Sequence, residues 1–231
     1  MTPVDPDALT LCCSDMAAPP LFWTEADGVR HGYEPAAALA VAQTLGLELR
    51  WVFRQWADFA RTLAVGECDG IWCGSAITPE RERQFLYTRP YAVFDEAVVV
   101  RAGDAVSAER DLRGRRVGAI AGSTNLALAE TFPEAECVAF DGVSDDVFGD
   151  MLRALQDGEV DAVVDDDVAF IGIERTFPGI RVAFTVATRN PWGCALRLGD
   201  EELKRTLDEG IAQADLPAAW RCWLPSLAYP L

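Results

Sequence analysis

The chain has 231 residues, with 20 Lys+Arg against 37 Asp+Glu and a formal net charge of −17. Half of it is hydrophobic and a quarter charged, ordinary for a globular protein long enough for one large domain or two smaller lobes. So negative a chain argues against nucleic-acid and anionic-membrane partners, but not against a small anion held by local cations. In chain order, ALTLCCS (8–14) reads as a short apolar strand, YEPAAALAVAQTLGL (33–47) as a helix ending at Gly46, and ELRWVF (48–53) as a strand. WADFARTLAVGE (56–67) reads as a helix stopped by Gly66, CDGIWCG (68–74) as a strand, and TPERERQF (78–85) as the start of a helix. AVFDEAVVVRAG after Tyr91 is a longer strand, and then the alternation restarts. It runs through a strand within 111–122, a helix at 123–132, a strand at 136–140, a helix at 145–159, a strand at 160–166 and a helix at 167–177. Strands at 180–187 and 192–198 and helical sequence over 200–224 close the chain.

Strands alternating with helices predict an α/β fold with mostly parallel sheets. The last strand and helices have no partner in the second series and are expected to return to the first. That predicts a discontinuous first lobe, 1–92 plus 189–231, and a second lobe, 93–188, with crossings near 90–95 and 184–191. Ligands of open α/β sheets bind beyond the carboxyl ends of the strands, so with two lobes a cleft is the expected site.

Three stretches carry candidate chemistry. In SAITPER, Thr78 suits an N-cap and Pro79 the first helical position. Arg81 in the first turn opposes the helix dipole by roughly 0.3–1 kcal/mol, and a bound carboxylate would reverse that sign. The plainer reading is a surface arginine paired with Glu80, Glu82 or Asp69. In AIAGSTNLALAE, Gly122, Ser123 and Thr124 join strand to helix, where backbone N–H groups and hydroxyls can meet an anion; the plainer reading is a capped turn. In VDAVVDDDVAF, Asp165, Asp166 and Asp167 follow an apolar strand, and crowded carboxylates call for a cation, such as an ammonium group; the plainer reading is a solvated cap cluster. A zwitterion such as an α-amino acid answers all three stretches.

The order of these pieces resembles the type II periplasmic binding fold, and within it the family 3 polar amino-acid-binding proteins of ABC importers. The resemblance runs through HGYEPAAALAVAQTLGLELRWV, LAVGECDGIWCGSAITPERERQFLYTRPY, DLRGRRVGAIAGSTNLALAE, LRALQDGEVDAVVDDDVAF and WGCALRLGDEELKRTLDEGI, nearly the whole chain. It implies two open sheets joined by two hinge strands, and a non-enzymatic receptor that closes on a small amino acid or related carboxylate. By the same resemblance Arg81 clamps the ligand carboxylate, helped by Gly74, Ala76 and Thr78. Ser123 and Thr124 add contacts, and Asp166, with Asp165 as the fallback, holds the amino group. Trp56 matches an aromatic pocket wall. The sequence departs from the family where Ala18 replaces an aromatic near the first strand, for which Phe22 or Trp23 could substitute, and where Ala76 replaces a hydroxyl residue.

The resemblance further implies a monomer that docks on an ABC permease outside the cytoplasm and needs no cofactor. MTPVDPDALTLCC shows no leader, so a cytoplasmic chain, or an exported one shown without its leader, both stay open. No run of about 18 apolar residues suggests membrane insertion. Seven cysteines without a CxxC pair are expected to be free and largely buried, with one or two disulfides as the alternative. The single histidine, His31, has no ligand cluster around it, so no metal site is expected. Two other functions stay open: an enzyme like the cyclohexadienyl dehydratases, and a cytoplasmic small-molecule sensor. The dehydratases resemble these receptors but carry a glutamate three residues after the aspartate. Here that place is Ala169 counted from Asp166, or Val168 from Asp165.

Overall fold

The computed structural model describes residues 4–231, so the first three residues of the segment read for a leader lie outside the described residues. The elements in chain order are β1 (Ala8–Cys13), β2 (Trp23–Thr24), β3 (Arg30–His31), α1 (Tyr33–Thr44), β4 (Glu48–Phe53), α2 (Phe59–Ala64), β5 (Gly70–Ile71) and β6 (Leu86–Tyr87). They continue with β7 (Ala92–Arg101), β8 (Arg116–Ile120), α3 (Thr124–Ala129), β9 (Glu136–Phe140), α4 (Val147–Asp157), β10 (Ala162–Asp166) and α5 (Ile173–Thr176). Last come β11 (Ile180–Trp192), β12 (Ala195–Leu196), α6 (Glu201–Gln213) and α7 (Leu216–Trp223). The fold is α/β with two five-stranded sheets, in the class that the sequence predicts.

The chain forms two compact units: Met1–Asp15, Pro20–Val93 and Asn190–Leu231 in unit 1, and Met16–Pro19 with Phe94–Arg189 in unit 2. β7 and β11 each run through a boundary between units.

In unit 1 the sheet order is β4-β1-β5-β12-β6. β1 is buried along all six residues and pairs in parallel with β4 and β5, which is why ALTLCC is apolar throughout rather than alternating. β12 is antiparallel to both of its neighbours. α1 buries Tyr33, Glu34, Ala37, Ala38, Val41 and Ala42. Gly32, just before it, has φ +115°, and a Cβ there would lie 2.2 Å from the Leu21 carbonyl oxygen, so the helix can enter only over a glycine.

In unit 2 the order is β11-β7-β10-β8-β9, with β8 parallel to β9 and β10, and β7 antiparallel to β10. Val98, Val100, Leu112, Val117, Ala162 and Val164 fill its core. α4 starts at Asp146, whose side chain accepts from Gly149 N at 3.2 Å, and ends at Gly158 in the left-handed conformation.

Three local expectations differ from the structure; in one, the helix expected at 167–177 is a 3-10 turn over Asp167–Phe170 and the four-residue α5, interrupted at Gly172 with φ +73°. TPERERQF forms a 3-10 turn over Arg81–Arg83 instead of an α-helix, because the chain leaves at Phe85 to reach β6. The dipole argument for Arg81 therefore loses its helix. The strands expected at 180–187 and 192–198 are instead the continuous β11 followed by the short β12. β11 bends at Arg189, a non-glycine with φ +53°.

All seven cysteines are free thiols; five are buried, and Cys137 and Cys222 are exposed. Among the described residues, no helix is long and apolar enough to cross a membrane, and no His, Cys, Asp and Glu side chains group as a metal site.

Candidate functional site

Unit 1 gathers its candidate residues at the carboxyl edge of its parallel strands. Cys13 and Phe53, the last residues of β1 and β4, pair directly, and β5 ends at Ile71 opposite Cys12. The segments that leave this edge carry Trp56 and residues 72–81. Thr78 caps the turn, its Oγ1 accepting from Arg81 N at 3.2 Å, and Glu82 N donates to the Thr78 carbonyl at 2.9 Å. The Arg81 guanidinium lies 5.6 Å from the Trp56 ring centroid, and its Nη1 donates to the Ala76 carbonyl at 3.3 Å. Ala76 is itself fixed by a bridge to Trp192. A planar cation held over an indole face, in a strand-end loop, can pair with a planar anion through its N–H donors.

Gly74 takes φ +57°, and its N–H donates to Glu34 Oε2 at 3.1 Å. Tyr91 donates to the same oxygen at 3.0 Å, while buried Oε1 has no hydrogen-bond partner. Burial pushes Glu34 up to about 7, against the two donors and nearby Arg30. Trp72 is core, 1% exposed and stacked 4.0 Å from the Tyr91 ring. Phe22 is buried beneath the Arg30 guanidinium, 5.1 Å from its carbon.

Unit 2 gathers its candidates where β8 and β10 end. Gly122 has φ +72°. Ser123 caps α3, its Oγ accepting from Leu126 N at 3.0 Å and donating to the Ile120 carbonyl at 2.6 Å. Its hydroxyl is committed within the turn, as the plainer reading had it. Thr124 is the first residue of α3 and half-buried. Asp166 stands opposite Glu96 in the antiparallel register of β10 and β7. Asn125 Nδ2 donates to both carboxylates, at 3.3 Å each. Asp165 is buried and accepts from Asp166 N at 2.8 Å. Burial, then Glu96, pushes Asp165 up to about 7, against the Asp166 N–H. Burial, then Asp165, also holds the Asp166 proton well above the ordinary range. Among the described residues, no arginine or lysine pairs with either aspartate. Such a set is short of one positive charge, and a proton or an incoming ammonium would supply it.

Glu34, Glu96 and Asn125 were not singled out in the sequence. Glu96 sits in an apolar strand and reaches Asp166 only through strand register, while Asn125, the second residue of α3, reaches it only through its amide hydrogen bond. The one available signal was an acidic residue inside a valine-rich strand, AVFDEAVVV.

The chain is 28% identical over 195 residues to the membrane-bound lytic murein transglycosylase F of Ectopseudomonas mendocina (strain ymp), a match that covers 80% of this chain but 38% of that protein. It is 25% identical over 201 residues to the L-cystine-binding protein TcyJ of Escherichia coli (strain K12), covering 84% of this chain and 73% of that one. The relatives thus include binding proteins and a protein named as an enzyme. An ancestral arginine-binding protein, solved with arginine bound, superposes with a TM-score of 0.84 at 24% identity, over 94% of this chain and 98% of that one, which shows a shared fold. A family model matches residues 11–216, nearly the whole length, and by it this chain belongs to the bacterial extracellular solute-binding proteins, family 3.

Proposed function

We propose that the chain is a receptor for a small α-amino acid or related carboxylate, which it binds without transforming and delivers, outside the cytoplasm, to the permease of an ABC importer. The observation that carries this reading is the pair of buried Asp165 and half-buried Asp166, with which no arginine or lysine pairs among the described residues, and to which an α-ammonium group would bring the missing charge. In unit 1, Arg81, held over the Trp56 ring, is the group to take a carboxylate by paired N–H donors. Gly74, Ala76, Thr78 and Thr124 line the two sets with backbone and hydroxyl groups. Family membership supports the solute-binding role, and the names of the relatives, for cystine and arginine, support amino acids as the class.

Binding without chemistry is supported by the residues just after the aspartates. Val168 and Ala169 are buried apolar residues where a dehydratase-like site would need an acid to protonate a leaving hydroxyl.

The test is thermal unfolding of refolded, ligand-stripped protein against a panel of amino acids and small carboxylates. A ligand at about 100 times its Kd adds roughly 2.7 kcal/mol. The expected result is that one amino-acid class stabilises the wild type and fails to stabilise Arg81→Ala or Asp166→Asn. Stabilisation by no amino acid, or equal stabilisation of the variants, would overturn the reading.

A further inference from the structure

Arg30, in β3, belongs to neither acceptor set, and its environment is unusual for an arginine. Its side chain is 4% exposed, although arginines are almost never fully buried unless paired. Three aromatic rings surround the guanidinium carbon: Phe53 at 5.0 Å, Phe22 at 5.1 Å and Trp51 at 5.8 Å. Nη1 donates to Thr24 Oγ1 at 3.0 Å and to Asp15 Oδ1 at 3.3 Å, and Nη2 donates to the Ser14 carbonyl. The Thr24 hydroxyl donates to the same Asp15 oxygen at 2.5 Å.

Aromatic faces, a carboxylate, a carbonyl and a hydroxyl converging on one point are what a free guanidinium or alkylammonium ion would require. The chain has assembled a cation cage and filled it with its own side chain. The cage lies at a telling place. Ser14 and Asp15 directly follow β1, and Phe53 ends β4, so it stands at the same carboxyl edge of unit 1 that carries Trp56 and the segment leading to Arg81. Asp15 remains 54% exposed there. Without Arg30 it would be a fixed negative charge beside an aromatic surface, an attractive spot for the cationic end of a side chain. With Arg30 in place, the charge is matched and the aromatic faces are covered.

We propose that Arg30 is a specificity-determining residue: by occupying this cage and neutralising Asp15, it turns the receptor toward amino acids with uncharged or anionic side chains and against those with cationic ones. This rests on the reading of the site as an amino-acid site. Specificity of this kind is a difference of affinities, achieved by withholding a partner from the wrong ligand.

The experiment is isothermal titration calorimetry of the refolded full chain with glutamine, glutamate, arginine and lysine, for wild type, Arg30→Ala, Arg30→Met and the double variant Arg30→Met/Asp15→Asn. The wild type is expected to bind glutamine or glutamate at least about tenfold tighter than arginine or lysine. Arg30→Ala should shift that ratio toward the cationic pair by about tenfold or more, and millimolar methylguanidinium, refilling the cage, should shift it back. Removing the Asp15 charge in the double variant should cancel the gain. Should Arg30→Ala fail to fold, Arg30→Met, which keeps an aliphatic stem among the rings, reads out the same ratio.

A wild type that prefers arginine or lysine overturns the proposal while leaving the amino-acid reading intact. So does a variant that weakens every ligand by one common factor, the behaviour of a structural staple. A wild type that binds none of the four also overturns the proposal, and the amino-acid reading then stands or falls on the wider unfolding panel.

Discussion

Glu96 and Asp166 face each other as a directly opposed pair across β7 and β10, and one amide, Asn125 Nδ2, serves both at 3.3 Å. Glu96 is buried and Asp166 half-buried, and two carboxylates set so close cannot both be comfortably ionised. This is a stability cost kept where a cationic ligand group would relieve it. Asp166→Asn should therefore move stability and binding in opposite directions. At pH 8 the unliganded variant should be more stable than wild type, by on the order of 1–2 kcal/mol in urea unfolding. Its affinity for the stabilising amino acid should fall by roughly 30-fold or more. A variant that loses stability and keeps affinity would show that Asp166 is structural.

The same burial predicts an unusual pH profile. Glu34 in unit 1 and Asp165 in unit 2 are each raised to about 7 by burial, from ordinary values of 4.5 and 3.8. The folded protein thus holds these protons more tightly than the unfolded chain does. Between the ordinary values and about 7 the unfolded chain has released its protons while the fold keeps them, so stability falls as pH rises through that window. Above about 7 the loss is complete, and it is on the order of 3–4 kcal/mol per group. Urea midpoints measured from pH 5 to pH 8 should decline, and Glu34→Gln, which cannot ionise, should flatten part of the decline. A rising profile, or one unchanged in Glu34→Gln, would contradict this account of Glu34.

The alternation of strands and helices was legible because strands buried on both faces, such as ALTLCC and the Ala162–Val164 stretch of β10, are apolar runs set between helical periods. Turn chemistry was legible too: α1 and α2 stop just before Gly46 and Gly66, both at positive φ, and Ser123 caps α3. What escaped depends on pairing between distant segments. Glu96 meets Asp166 only through strand register, and Glu34 in the first turn of α1 meets Gly74 only across 40 residues of sequence. Arg30 looked like one residue of a polar turn, DGVRHGY, since nothing local shows that Phe22, Trp51 and Phe53 close around it. Arg81 drew notice through a helix-dipole argument. The structure replaces that helix with a 3-10 turn, and the support for Arg81 now comes from Trp56 and Ala76.

Gly32 is a sharp test of the entry to α1. A methyl group there would sit 2.2 Å from a backbone oxygen and 2.8 Å from the Phe22 Cα, and the φ of +115° disfavours any side chain. Both obstacles are backbone, so neither can swing away. Gly32→Ala should cost roughly 2–4 kcal/mol in urea unfolding. Gly46→Ala is the contrast: it too has positive φ, +68°, but nothing lies within 4 Å of the added atom, so only about 1 kcal/mol is expected. Equal costs at the two sites would mean that the close approach to Leu21 is not what requires glycine at 32.

Arg81 separates charge from shape. Arg81→Lys keeps a cation near Trp56 but gives up the planar pair of donors held over the indole. Were Arg81 a general electrostatic attractor, lysine would serve nearly as well. Were it a fork that grips a carboxylate, lysine should lose about tenfold or more in affinity, and alanine about a hundredfold. Both variants should unfold within about 1 kcal/mol of wild type without ligand, because Arg81 sits in a short surface turn that Thr78 already caps. Calorimetric titration with the amino acid that stabilises the wild type distinguishes the two roles. Trp56→Leu supplies the internal control: it removes the ring beneath the guanidinium and leaves the donors in place. It should therefore weaken binding less than Arg81→Lys does, and a larger loss at Trp56 would make the indole, not the fork, the principal contact in unit 1.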